Sequence, residues 1–242
     1  MRTGPRGRAI VTGGKGTAAR SVGLLGGIFS FAVDSGLIDV SPVRGIKRFA
    51  DRKGDRYLSQ QELVALGDAI RQAHLEGVNP QALAILKLLI FTGARKGEIE
   101  SLHWKEVDLE GGYLRLADSK TGQKSIPLSA GAREVLAKTP RLSGSRFVFP
   151  AHRGDGHYRG TPKVWRKVPV TADIADVRLH DLRHSFASIA VSGGASLPMI
   201  GALLGHADSS TTQRYAHLHD DPLKAASETI GNIIAVLLEK EG

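Results

Sequence analysis

Residues 179–188 read LHDLRHSFAS, and two periodicities run through them. Leu182, Phe186 and Ile189 recur at helical spacing and predict the buried side of a helix over 180–192. His180, Arg183 and His184 then fall on the other side, so three cationic or proton-active groups share one face. Such a face suits an anion or a metal ion. His180 and His184 have the i, i+4 spacing of a helical zinc site. Arg183 between them would repel a divalent cation, however, Asp181 stands where the H-E-x-x-H pattern has its glutamate, and no third ligand is evident. The expectation is therefore an anion site, with no metal.

Working outward, three more stretches carry residues that a purely structural sequence does not need. Downstream, LLGHADSSTTQRYAHL (203–218) ends one helix at Gly205 and places His206 just beyond it. Asp208 or Ser209 then caps a helix over 208–217 that carries Tyr215. Upstream, the short β-like runs YLRLAD and KSIPLS predict a hairpin over 113–128, with a further strand near Val107 and Lys120 at the turn. Farther upstream, FTGARKGEIESLHW (91–104) closes an apolar helix at Gly93; Arg95 opens the next, with Glu98 three residues on and able to fix its guanidinium fork. Taken singly, these are a helical ion pair, a soluble turn and a boundary aromatic. Together, two arginines, a lysine and two histidines match a phosphodiester whose trigonal-bipyramidal transition state loads charge onto the non-bridging oxygens. The tyrosine supplies a nucleophile that is also a leaving group, so a phosphotyrosyl bond would conserve the energy of the broken linkage.

The remainder of the 242-residue chain fits a basic, mainly helical protein. Net charge is +9, with residues 1–54 contributing +7 and residues 55–242 only +2, which points to a polyanionic partner bound near the front. The absence of cysteine removes thiolate metal sites, disulfides and thiol catalysis. No secretory signal or membrane-spanning stretch is read from the sequence, which gives the expectation of a cytoplasmic protein with no membrane partner. VTGGKGTAAR falls short of a phosphate-binding loop because Gly16 follows the lysine where Ser or Thr is required. Helices are predicted from a Thr17 cap to Gly36, from the Ser59 capping box SQQE, and from Asn79-Pro80 onward. Others follow around 129–138, 160–167, 180–192, 196–204, 208–217 and 222–240. The fold class is mainly α with a small antiparallel β-sheet at one edge. Its divisions are 1–50, 51–220 and a C-terminal helix over 221–242, whose Leu223, Ala226, Ile230, Ile233 and Leu237 form an apolar stripe.

The ordered set resembles the tyrosine recombinases, or phage-type integrases, over residues 57 to about 220. The family's first arginine is matched by Arg95 in TGARKGE, its hairpin lysine by Lys120, and its H-x-x-R box by His180 and Arg183. Its next histidine is matched by His206 in LLGH and its nucleophile by Tyr215 in TTQRYAHL. The resemblance implies the family's catalytic-domain fold, no cofactor, double-stranded DNA as substrate, and a homotetramer on paired sites built from a protein monomeric in free solution. It implies a bacterial or phage-encoded, nucleoid-associated enzyme in which Tyr215 forms a 3′-phosphotyrosyl link without metal or ATP. Lys120 would protonate the departing 5′ oxygen, and Arg95, Arg183 and His206 would hold the phosphorane. His180 would accept a proton or orient the phosphate, with Glu98 and Asp181 as orienting residues behind them. Residues 1–50 resemble the last helix of the family's N-terminal core-binding domain plus the linker, with the earlier helices absent. The C-terminal helix packs on its own domain or docks on a neighbouring protomer. Two other readings stand beside this one: a type IB topoisomerase-like nicking-closing enzyme, and a catalytically idle DNA-binding remnant.

Overall fold

The computed structural model describes residues 2–3, 9–10, 14–50, 56–119, 122–206, 208, 210–218, 227 and 230–231. The chain divides into two compact units, Met1–Gly54 and Asp55–Gly242.

In the first unit, two-residue strands β1 (Arg2–Thr3) and β2 (Ala9–Ile10) pair antiparallel ahead of the 20-residue helix α1 (Lys15–Asp34). Gly14, rather than Thr17, is the N-cap, without a side-chain cap hydrogen bond, and the chain leaves the helix through Gly36 at φ +67°. None of the residues of α1 is buried; Leu24, Ile28 and Phe31 are exposed, and Lys15 lies over the Phe49 ring. By length and composition alone α1 passes the test for a membrane-crossing helix, a test that a signal sequence or the core helix of a soluble protein passes as well.

The second unit begins with a complete capping box: Ser59 Oγ accepts from the Glu62 amide and the Glu62 carboxylate accepts from the Ser59 amide, opening α2 (Gln60–Leu75). Asn79 caps α3 (Pro80–Thr92), with proline at the first turn, where no backbone donor is lost. Its Ala82, Leu83, Ile85, Leu86, Leu88 and Leu89 are all buried, so α3 is the central rod of the core. Each such leucine withdraws enough apolar area to stabilise the fold by ~2 kcal/mol before entropy is counted. α4 (Lys96–Glu100) follows at once. A three-stranded antiparallel sheet comes next, in the order β3 (Val107–Asp108), β4 (Tyr113–Ser119), β5 (Gly122–Pro127). Leu114 pairs with Ile126 and Leu116 with Lys124 across the hairpin. α5 (Ala130–Ala137) then covers α3.

The helix expected over 160–167 is two short ones, α6 (Thr161–Trp165) and α7 (Val168–Thr171). The Trp165 indole donates to the Val177 carbonyl and holds the loop that leads into α8 (Asp181–Ser192). α8 packs on α3 and on α9 (Leu197–Leu204). The helix expected over 208–217 is also broken: α10 covers only Ser210–Gln213, and a 3-10 turn spans Ala216–Leu218. Asp208 caps α10 by accepting from the Ser210 amide and hydroxyl. The C-terminal helix expected over 222–240 lies outside the described residues except at 227, 230 and 231.

A left-handed glycine, Gly93, aims the end of α3. A methyl at Gly93 (φ +60°) would sit 2.6 Å from Phe186 Cδ1 and 2.9 Å from Leu204, so α8 and α9 close on this position because it lacks a side chain. Gly112 has a similar φ of +73° with nothing within 4 Å. Gly112→Ala should cost ~1 kcal/mol of backbone strain, and Gly93→Ala ~2–4 kcal/mol because overpacking adds to the strain. Urea midpoints of the two variants check this, and equal losses would contradict it.

Candidate active site

Arg95 emerges where α3 ends and α4 begins, directly after the Gly93 turn. Its backbone amide donates to Glu98 Oε2 and its Nη1 to Glu98 Oε1, both at 2.9 Å. The expected ion pair is thus present, and Glu98 is buried rather than solvated. Glu98 holds a second cation: Lys124 Nζ donates to Oε2 at 3.1 Å. The Lys124 and Glu98 side chains are only 4% and 7% exposed, an arrangement that requires pairing because a lone buried charge would lose its hydration. The Glu98 carboxyl stays below its usual range: burial pushes it up, but the Arg95 amide and Lys124 outweigh this. Burial brings the Lys124 ammonium below its usual value despite Glu98, and Arg183 and Arg95 push the same way.

Arg183 is buried, not solvent-facing as its position on α8 predicts. Its Nη1 donates to the Gly93 carbonyl and its Nη2 to the Leu204 carbonyl, both at 2.7 Å. Burial, together with Arg95 nearby, lowers its pKa to about 10, so it remains charged at neutral pH. Gly205 follows in the left-handed region (φ +66°), and a methyl there would fall 2.6 Å from Lys124 Cδ. Lys124 therefore lies along the backbone of LLGH, and Arg95 Nη2 reaches the Gly205 carbonyl at 3.5 Å.

His206 leaves this turn with Nδ1 held 2.8 Å from Thr212 Oγ1 of α10. Burial and the positive charges of Arg183, Arg95, Lys124 and Arg214 depress its pKa to about 4. Tyr215 ends the series fully buried, with its hydroxyl 2.8 Å from His184 Nδ1. His184 is buried too; the His180 ring meets it edge-on at 4.9 Å, and burial lowers the His180 pKa. The two-faced reading of α8 therefore fails. Arg183 and His184 are buried while Ile189 is half exposed, because α3, α9 and the Tyr215 segment cover the side assigned to solvent.

Of the other sequence-predicted residues, Asp181 accepts from the Arg178 amide and guanidinium, fixing the turn before α8 rather than an arginine of the cluster. Lys120 lies outside the described residues. Lys124 was missed as a member of the cluster, and His184 was placed on the anion-facing side of the helix without a role of its own. The alternation of β5 carries a signal for Lys124, since it shares a face with buried Ile126 two residues on. Among the described residues no group of three His, Cys, Asp or Glu side chains is placed to hold a metal ion.

Removing a nearby positive charge should ease protonation of His206. Lys124→Met is expected to move the His206 midpoint, followed by imidazole NMR, upward from about 4 towards the ordinary ~6.5. An unchanged or lower midpoint would contradict the electrostatic account.

Residues 56–221, which include every residue of this cluster, match the Phage integrase family. The chain is 32% identical over 209 residues to the tyrosine recombinase XerC of Erythrobacter litoralis, covering 84% of this chain and 68% of that protein. It is 31% identical over 219 residues to the shufflon-specific DNA recombinase of Escherichia coli, covering 88% of this chain and 53% of that one. The fold matches XerH site-specific recombinase bound to difH substrate (TM-score 0.65, 19% identity, 88% of this chain, 64% of that one). It also matches a lambda integrase tetramer bound to a Holliday junction (TM-score 0.62, 21% identity, 86% and 61%). The chain thus spans 53% to 68% of the lengths of these four proteins. With the family match covering more than half of its residues, the chain belongs to the phage integrase family, the tyrosine-type site-specific recombinases.

Proposed function

We propose that this chain carries the catalytic centre of a DNA strand transferase working through a 3′-phosphotyrosyl intermediate. The observation that carries the reading is the convergence of Arg95, Arg183, Lys124 and His206 with Tyr215 at the ends of α3, α8 and α9. Three cations gathered beside a neutral His206 repel one another, and a phosphate offsets that repulsion. The charge that builds on its non-bridging oxygens in the transition state strengthens that attraction further.

In this mechanism the Tyr215 oxygen attacks the scissile phosphorus, and the 5′ oxygen departs with a proton from Lys120. Arg95 and Arg183 bind the non-bridging oxygens and His206 donates to one of them through Nε2, its Nδ1 being engaged by Thr212. His180 orients the phosphate, Glu98 orients Arg95, and Asp181 positions α8 through Arg178. The 5′ hydroxyl of a partner strand reverses the step and yields strand exchange. Conservation of bond energy in the phosphotyrosyl link makes ATP unnecessary, and the protein's own cations take the part a metal would play.

Several further assignments belong to the same reading. The substrate is double-stranded DNA, held by a homotetramer on paired sites and assembled from monomers. Residues 1–50 serve as part of a core-binding domain and bring its positive charge to the DNA. The segment after residue 220 docks on a neighbouring protomer. The cellular setting is the cytoplasm of a bacterium, on a phage or other mobile element.

A nicked suicide substrate that loses its 5′ hydroxyl strand on cleavage tests the chemistry. Wild type should become covalently attached to DNA equally well in EDTA, and loss of attachment in EDTA would contradict the metal-free scheme. Arg95→Ala should slow attachment ~10²–10³-fold while DNA affinity falls far less. Equal losses in rate and affinity would make Arg95 a general DNA contact instead.

A further inference from the structure

The reading above leaves open which group takes the proton from Tyr215, and the packing around α8 answers it. His184 Nδ1 is 2.8 Å from the Tyr215 oxygen, within proton-transfer distance. His184 follows Arg183 directly on α8, so one rigid turn carries the guanidinium that faces the phosphate and the imidazole that faces the phenol. Tyr215 also lies close enough for a phenolate to favour the charged form of Arg183. The other two histidines are placed differently. His206 Nδ1 is engaged by Thr212, and the His180 ring meets the His184 ring edge-on at 4.9 Å.

We propose that His184 is a catalytic residue: its Nδ1 accepts the phenolic proton as the Tyr215 oxygen bonds to phosphorus. In the step, the Tyr215 O–H bond breaks and its proton passes to Nδ1, while the O–P bond forms. The bond from phosphorus to the 5′ oxygen breaks, and that oxygen takes its proton from Lys120. Religation runs the same transfers backwards, so His184 ends each cycle neutral with its proton on Nε2. Among the described residues, the titratable and charged groups around His184 include His180 and Arg183 on α8, Tyr215, and Tyr57 ahead of α2, whose ring also meets His217. This inference rests on the phosphotyrosyl reading of the same site.

The test is the single-turnover rate of covalent attachment between pH 5.5 and 9.5, using the full chain. The suicide substrate carries a 5′-bridging sulfur, whose departing thiolate needs no proton, so the remaining pH dependence belongs to the nucleophile. His184→Phe and His184→Asn should each be ~100-fold slower near pH 7. The deficit should shrink about tenfold per pH unit as the phenol ionises unaided towards its own pKa of ~10. His180→Asn should keep the wild-type pH profile. A His184 deficit constant across pH would mean a structural role, and a wild-type or faster rate would mean no role or a latch; each overturns the proposal. Should neither His184 variant fold, His184→Gly assayed with added imidazole takes their place: recovery of rate supports the assignment and its absence overturns it. Attachment by Tyr215→Phe would instead sink the underlying phosphotyrosyl reading, so the two failures are distinguishable.

Discussion

The site depends on one guanidinium. Arg183 donates simultaneously to the Gly93 carbonyl, where α3 ends, and to the Leu204 carbonyl, where α9 ends. Both acceptors belong to helix C-termini, whose last carbonyls lack intrahelical partners and carry partial negative charge. A buried guanidinium is costly unless its donors are matched, and here two unsatisfied helix ends match it. The bond to Gly93 fixes the turn from which Arg95 springs, and the bond to Leu204 fixes the turn that delivers Gly205 and His206. The side chain proposed to bind phosphate is thus the one that ties these two helix ends together.

Around that clamp the cluster is electrostatically unsatisfied by design of its packing. Glu98 is the counter-ion recorded for both Arg95 and Lys124, and it is buried between them. Burial first, and the neighbouring positive charges after it, depress the pKa values of Lys124, Arg183 and His206. On the proposed function, a phosphate entering the cluster would relieve that repulsion, and a phosphorane would relieve it more because it carries more charge.

Features set by neighbours in sequence were legible before the structure. The Ser59–Glu62 box, the Asn79-Pro80 start, the Gly93 stop and the Arg95–Glu98 pair each need only a few residues, and local chemistry decides them. The order of Arg95, the H-x-x-R box, His206 and Tyr215 was also legible as a family pattern. What could not be read is what distant segments do. Arg183 reaches a carbonyl 90 residues away, and His184 pairs with Tyr215 from 31 residues away. Helical periodicity assigned both to solvent because it knows nothing of α3 or α9. Lys124 was overlooked in favour of the turn lysine for the same reason: alternation marks it as inward, but a lysine is placed inside only when a partner such as Glu98 is known to wait there. The broken helix over 208–217 shows the reverse case, where the constraint on Tyr215 and the Thr212 contact to His206 override an acceptable local helix pattern.

The central claim is that Tyr215, among four tyrosines, is the residue that bonds to DNA. Protein trapped on a suicide substrate can be digested with nuclease and protease and the nucleotide-bearing peptide sequenced by mass spectrometry. The account predicts the residual nucleotide on Tyr215, within the TTQRYAHL segment. A nucleotide on Tyr57, Tyr113 or Tyr158, or on a serine, would contradict it.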